Sequence, residues 1–225
     1  MYILKPPPNR GYLRAKYKTR GVGNVVAGIV HTTGAGIVKR WQRQGEKYGE
    51  PTPFETALRV YNKLMDAGPH FVVGQEGEIA QTCPIDFAAW HVGKLNSRPY
   101  WLKNVVPDHQ WWHDRWGHSY KSPAEMCGGL LWAGGECNPN VFGIEVVPDV
   151  DDPHGKKYPW SPAAYEAIAH VCFEMAKLCP NFVPGPQTVI GHADAHPLSR
   201  TSRGKPWDPT PLQWSPERAA QVLAH

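Results

Sequence analysis

Two periods of apolar residues run through this chain, and each predicts a kind of element. From Pro53, the residues Phe54, Ala57, Leu58, Tyr61, Leu64 and Met65 recur at steps of three and four, the stripe of an amphipathic helix that stops at Gly68. From Pro162, Tyr165, Ile168, Cys172, Met175 and Cys179 keep the same spacing until Pro180, whose ring cannot continue a helix. Four segments open with a hydroxyl residue followed by proline: Thr52-Pro53, Ser122-Pro123, Ser161-Pro162 and Ser215-Pro216. The hydroxyl accepts an otherwise orphaned backbone N–H, and the fixed φ of proline suits the first helical position. Glu55 and Glu125 complete capping boxes in the first two.

Between these helices lie short apolar runs rich in β-branched residues, Val25 to Val30, Phe71 to Val73, Val141 to Val147 and Thr188 to Ile190, which read as buried strands. Gln75-Glu76-Gly77-Glu78 is a tight turn leading into a further strand at Ile79 to Thr82, so a hairpin accompanies the longer helical crossovers. Strands alternating with helices predict one α/β domain over residues 1–225, a central mixed β-sheet flanked by helices, with its core at about 24–215. Residues 94–137 break the pattern. They hold five of the ten tryptophans, Trp101, Trp111, Trp112, Trp116 and Trp132, and few periodic apolar positions, which marks an insertion of the kind that forms binding loops.

Composition narrows the function classes. With 225 residues, 41% hydrophobic and 20% charged, the chain is neither disordered nor fibrous. The net charge of +4 is spread along the chain apart from Arg10 to Arg20, and no helix-turn-helix or finger spacing accompanies it, so no nucleic-acid partner is expected. No apolar run is long enough to span a bilayer, and the first twenty residues lack the apolar stretch of a signal peptide. The expectation is a monomer made in the cytoplasm, without membrane insertion. Five cysteines with no C-x-x-C pair read as reduced, buried hydrophobes.

Two histidines carry the first chemical signal. His31 follows the run Val25 to Val30, and His192 follows Val189-Ile190-Gly191, so each is expected just past the carboxyl end of a strand, where sites form. With a carboxylate such as Asp208 they would supply three ligands and leave a fourth position for water, the pattern of a catalytic zinc. Spacing alone leaves that carboxylate open, because Asp194 and His196 in His192-Ala193-Asp194-Ala195-His196 are rival ligands. Glu145 shares a strand face with Val141, Gly143 and Val147, surroundings apolar enough to raise its pKa toward general-base values. His70, heading a core strand, reads as a structural group satisfying buried backbone.

Five short motifs stand in a recognisable order: Val26-Ala27-Gly28-Ile29-Val30-His31-Thr32-Thr33, Pro69-His70-Phe71-Val72-Val73-Gly74 with Gly77, Ala89-Trp90-His91-Val92-Gly93, Asn140-Val141-Phe142-Gly143-Ile144-Glu145, and Ile190-Gly191-His192-Ala193-Asp194. In this the chain resembles the zinc-dependent N-acetylmuramoyl-L-alanine amidases of the type 2 family, relatives of phage lysozyme-type amidases and peptidoglycan recognition proteins. The resemblance implies Zn2+ at the carboxyl ends of strands, held by His31, His192 and Asp208, the last in an Asp-Pro-x-Pro context. It also implies Glu145 as catalytic base, and Trp90 and His91 in the substrate groove; the tryptophan density of the insertion adds Trp111 and Trp112.

The chain departs from the family pattern in three places. Sixteen positions separate His192 from Asp208, more than is usual between those ligands. Pro206 stands where the family lysine lies two residues before the ligand, leaving Lys205 as the oxyanion-stabilising candidate. Pro69 stands where many relatives carry tyrosine, as in the branch that uses the glutamate of Gly143-Ile144-Glu145. The implied activity is hydrolysis of the amide between N-acetylmuramic acid and L-alanine, on peptidoglycan or a muropeptide. A phage endolysin acting on the cell wall is the leading form; a cytoplasmic anhydro-muropeptide recycling amidase and a non-catalytic peptidoglycan-binding module are the alternatives.

Overall fold

The computed structural model describes residues 3–4, 20–33, 52–61, 68–92, 138–195, 201–202 and 205–224; in 3–4, 194–195, 201–202 and 205–206 it describes backbone alone. The strands are β1 (Ile3–Leu4), β2 (Ala27–Thr32), β3 (Phe71–Val73), β4 (Ile79–Gln81), β5 (Val141–Val146), β6 (Val189–Gly191), β7 (Thr201–Ser202) and β8 (Lys205–Pro206). The helices are α1 (Pro53–Tyr61), α2 (Pro162–Leu178), the single turn α3 (His192–Ala195) and α4 (Pro216–Val222). Six strands form one mixed sheet in the order β1-β4-β3-β5-β2-β6, and β7 with β8 forms a separate antiparallel pair. Only β3 and β4 are antiparallel within the large sheet, joined by the predicted tight turn, where Gly77 takes φ 83°.

Three of the four predicted hydroxyl caps fall within the described residues, and each closes. Thr52 Oγ1 accepts from the Glu55 N–H at 3.1 Å while a Glu55 carboxylate oxygen accepts from the Thr52 N–H at 3.0 Å, the reciprocal capping box. Ser161 Oγ accepts from the Ala164 N–H at 3.0 Å, and Ser215 Oγ from the Arg218 N–H at 3.2 Å. The cap at Ser122, the last turn predicted for the first helix, and the tryptophan-rich insertion lie outside the described residues.

Side-chain alternation divides the sheet into two faces. Phe71, Val73, Phe142, Ile144, Val146 and Val30 pack with Ile168, Val171, Cys172 and Met175 of α2, and Trp214 closes that layer with its indole N–H donated to the Val189 carbonyl at 3.1 Å. On the opposite face Phe54 and Ala57 of α1 cover Val72, Ala80 and Val147. His31 and Glu145 alternate with Val30, Ile144 and Val146, so they emerge on the face that α1 covers only in part.

The structure moves one predicted strand. β2 begins at Ala27 and runs through Thr32, so His31 lies within the sheet rather than beyond the strand's end. Apolar content alone stopped the expectation at Val30, but the parallel ladder with β5 continues through His31 opposite Glu145 and Thr32 opposite Val146. His192 does follow its strand, as the first residue of α3.

Candidate active site

The central strands β5, β2 and β6 are mutually parallel, so their carboxyl ends meet at one edge. There the structure gathers His31, His192 and Asp208, all buried, with one potential ligand atom from each lying within 4.8 Å of the others. His192 Nδ1 is 3.0 Å and His31 Nδ1 3.9 Å from Asp208 Oδ2. Donors about 2.0–2.1 Å from a tetrahedral ion lie roughly 3.3 Å apart, so these separations fit one shared zinc.

Each member is held from behind. Asp208 Oδ1 accepts from the Thr32 N–H at 2.8 Å, and the Asp208 carbonyl accepts from the Ala193 N–H at 2.7 Å, which ties the segment to the ends of both β2 and α3. His192 Nε2 points to the Val92 carbonyl at 3.3 Å, leaving Nδ1 for the centre. His31 Nε2 faces His91 Nδ1 at 2.9 Å. Burial opposes the charge on Asp208, but hydrogen bonds and charge from His192 and His31 outweigh it and hold the carboxyl well below the usual range. A carboxylate that stays ionised beside two imidazoles is the donor set zinc requires.

Glu145 sits beside this group, half-buried and in register with His31 across the β2–β5 ladder and with Val72 across β3. Tyr61, at the end of α1, has its phenol beside this carboxylate. Burial, then the charge of Glu145, push that phenol well above its ordinary pKa, so it stays protonated. The sequence placed Tyr61 on the apolar stripe of the helix, and nothing in that spacing shows that its hydroxyl ends at a carboxylate.

Behind the site stands a buried polar array in which His70 has the structural role expected of it, while Arg20 and Asn138 were not singled out from the sequence. The Arg20 guanidinium, buried and lowered to about 10 by desolvation, donates to the carbonyls of Ile85 at 3.0 Å, Asn138 at 2.9 Å, Pro139 at 3.1 Å and Val141 at 2.5 Å. It also lies 3.0 Å from His70 Nε2, which is 2.9 Å from the Phe87 carbonyl. His70 Nδ1 accepts from the Gly143 N–H at 3.0 Å, so the ring is structural and neutral. Burial and the charge of Arg20 lower its pKa to about 3. Asn138 Oδ1 accepts from the N–H groups of His91 at 3.2 Å and Val92 at 3.1 Å, fixing the backbone of the two residues that face His31 and His192.

The remaining predicted residues separate. Trp90 is half-buried beside His91, its carbonyl accepting from the Gly68 N–H at 3.0 Å. Lys205 has described backbone in β8, while its side chain, the side chain of Asp194, and His196, Trp111 and Trp112 lie outside the described residues. Cys83, Cys172 and Cys179 are buried and free, and burial pushes the Cys83 thiol up to about 12; Cys127 and Cys137 lie outside the described residues.

The fold and the site together define an α/β protein with a candidate mononuclear metal centre at the carboxyl ends of parallel strands. The sequence profile of the N-acetylmuramoyl-L-alanine amidase family matches residues 23–211, and the chain belongs to that family. No curated protein sequence matches it. Among solved structures it is similar to a selenomethionine derivative of AmpD, at 17% identity and TM-score 0.54 over 98% of this chain and 94% of that one. It is also similar to the N-acetylmuramoyl-L-alanine amidase LysC from Clostridium intestinale URNW, at 11% identity and TM-score 0.47 over 100% of this chain and 98% of that one. Among the described residues no helix is long and apolar enough to cross a membrane.

Proposed function

We propose that this amidase is zinc-dependent, with His31, His192 and Asp208 as ligands, and that it works as a phage endolysin on the cell wall. The observation that carries the metal reading is the buried triad: three potential ligands, each fixed by a hydrogen bond from outside the group, with donor separations suited to one ion. Held by His31, His192 and Asp208, zinc would supply Lewis acidity, lowering the pKa of water toward ~7 and polarising the scissile carbonyl. Glu145, with Tyr61 beside it, takes a proton from the attacking water and returns it to the amide nitrogen as the C–N bond breaks, so the amine of L-alanine and the muramyl carboxylic acid leave, the acid then losing its remaining proton to solvent. Lys205 steadies the oxyanion. Trp90, Trp111 and Trp112 offer indole faces to the apolar faces of sugar rings.

Zinc content and amide cleavage test this together. The wild-type protein should carry one zinc, and Asp208→Ala should lose both metal and activity; retention of zinc by Asp208→Ala together with its loss by Asp194→Ala would move the carboxylate ligand to Asp194. Turnover on intact sacculi against soluble muropeptides tests the endolysin form, with preference for the soluble substrate counting against it.

A further inference from the structure

The ring of His91 lies against the metal group without belonging to it. His91 Nδ1 is 2.9 Å from His31 Nε2, the two rings meeting edge to face with centroids 5.1 Å apart and planes at 80°. The nitrogen of His31 that looks toward Asp208 is the other one, Nδ1, at 3.9 Å. An imidazole can offer a lone pair at Nδ1 only when its proton is on Nε2. His31 Nε2 must therefore donate, and the atom positioned to accept is His91 Nδ1.

The surroundings hold His91 in that place. Its backbone N–H is bound by Asn138, and its ring lies over Gly143, where a side-chain carbon would come within 2.6 Å of Nδ1. Gly143 is fixed in turn by His70, whose Nδ1 accepts the Gly143 N–H and whose own N–H is donated to the Gly143 carbonyl, both at 3.0 Å. A missing Cβ, a clamped backbone and an acceptor aimed at a ligand's outer nitrogen form one arrangement.

The geometry assigns His91 as a positioning residue for the metal centre: it accepts the Nε2–H of His31, selects the tautomer that ligates through Nδ1 and fixes the plane of that ring. This rests on the zinc reading above and departs from the expected role of His91 in the substrate groove. Partners of this kind change metal affinity by about 10–100-fold when removed.

Chelator competition on wild-type protein, His91→Phe and His91→Asn tests it, with the thermal midpoint of each zinc-free protein measured alongside. Phenylalanine keeps the ring and removes the acceptor; asparagine can place an oxygen near the position of Nδ1. The expected result is zinc affinity about 10–100-fold weaker in His91→Phe, largely recovered in His91→Asn, with similar zinc-free midpoints. Wild-type affinity in folded His91→Phe would overturn the assignment. Should His91→Phe fail to fold, the imidazole ¹⁵N–¹H spectrum of zinc-loaded wild-type protein decides. A proton on His31 Nε2 shared with His91 Nδ1 supports the assignment, and a proton on His31 Nδ1 overturns it. A wild-type protein that takes up no zinc refutes the metal reading itself, and this inference with it.

Discussion

Gly143→Ala is the sharpest perturbation this site offers, because the structure gives both the size of the clash and the reason it cannot relax. The new Cβ would lie 2.6 Å from His91 Nδ1, 2.7 Å from Cγ and 2.8 Å from Cε1. Comfortable separations are about 3.5–4.0 Å, so the overlap is roughly 1 Å against a ring edge. The ring cannot withdraw easily, since Asn138 holds the backbone of His91 and Val92. The strand cannot yield either, since β5 is laddered to β2 on one side and β3 on the other. Overpacking of this kind costs about 1–3 kcal/mol, against about 0.5–1 kcal/mol gained by replacing a strand glycine with alanine. The midpoints of these ranges leave a net cost of about 1.3 kcal/mol, so at about 2–4 °C per kcal/mol for a chain of this size zinc-free Gly143→Ala should melt roughly 3–5 °C below wild type. Gly21→Ala is the control: it has φ −71° and no atom within 4 Å of an added carbon, so nothing offsets the gain from alanine and its midpoint should hold or rise by about 1–4 °C. Circular dichroism melts read both. A Gly143→Ala midpoint equal to or above wild type would refute the claim that His91 is wedged over this glycine.

Three further outcomes follow from the same geometry. Glu145→Gln keeps shape but cannot take a proton, so stoichiometric zinc should persist while kcat falls about a hundredfold or more; unchanged turnover in a steady-state assay removes Glu145 from proton transfer. His70, held neutral with its pKa lowered to about 3, binds no proton between pH 6.5 and 3 while the unfolded chain does. Stability should therefore be full above pH 6.5 and fall by up to about 1.4 kcal/mol per pH unit below it, and urea melts of His70→Asn should show a shallower acid limb than wild type. Arg20→Met strands the carbonyls of Ile85, Asn138, Pro139 and Val141 and should cost on the order of 3 kcal/mol or more, read as a lower urea midpoint.

What was legible in the sequence was whatever repeats locally. The helix of Pro162–Leu178 and the strand of Phe71–Val73 follow from periodicity and punctuation within a few residues, and so do the three described caps. Tyr61, Arg20 and Asn138 left no such trace. Tyr61 occupies a core position of its helix stripe, and only the placement of α1 beside β5 turns its hydroxyl to Glu145. Arg20 closes the basic stretch Arg10 to Arg20, yet its donors reach carbonyls as far as 121 positions away in the chain. Side chains that work by satisfying distant backbone carry no period, and their role exists only once the sheet order is known.

The spacing of His192 and Asp208, the proposed ligands, makes the same point from the other side. Sixteen positions between His192 and Asp208 looked like a departure that an extra loop would have to absorb. Loop length matters little when the end of the loop is pinned, because the cost of closure grows only with the logarithm of length. Asp208 is pinned twice at the site: its side chain by the Thr32 N–H at the end of β2, and its carbonyl by the Ala193 N–H in α3. These bonds draw on strand-end and helix-start donors that would otherwise lack partners, so they form wherever the chain can reach. The location of the carboxylate is thus set by the parallel ends of β2 and β6, and its distance in sequence from His192 is free to vary.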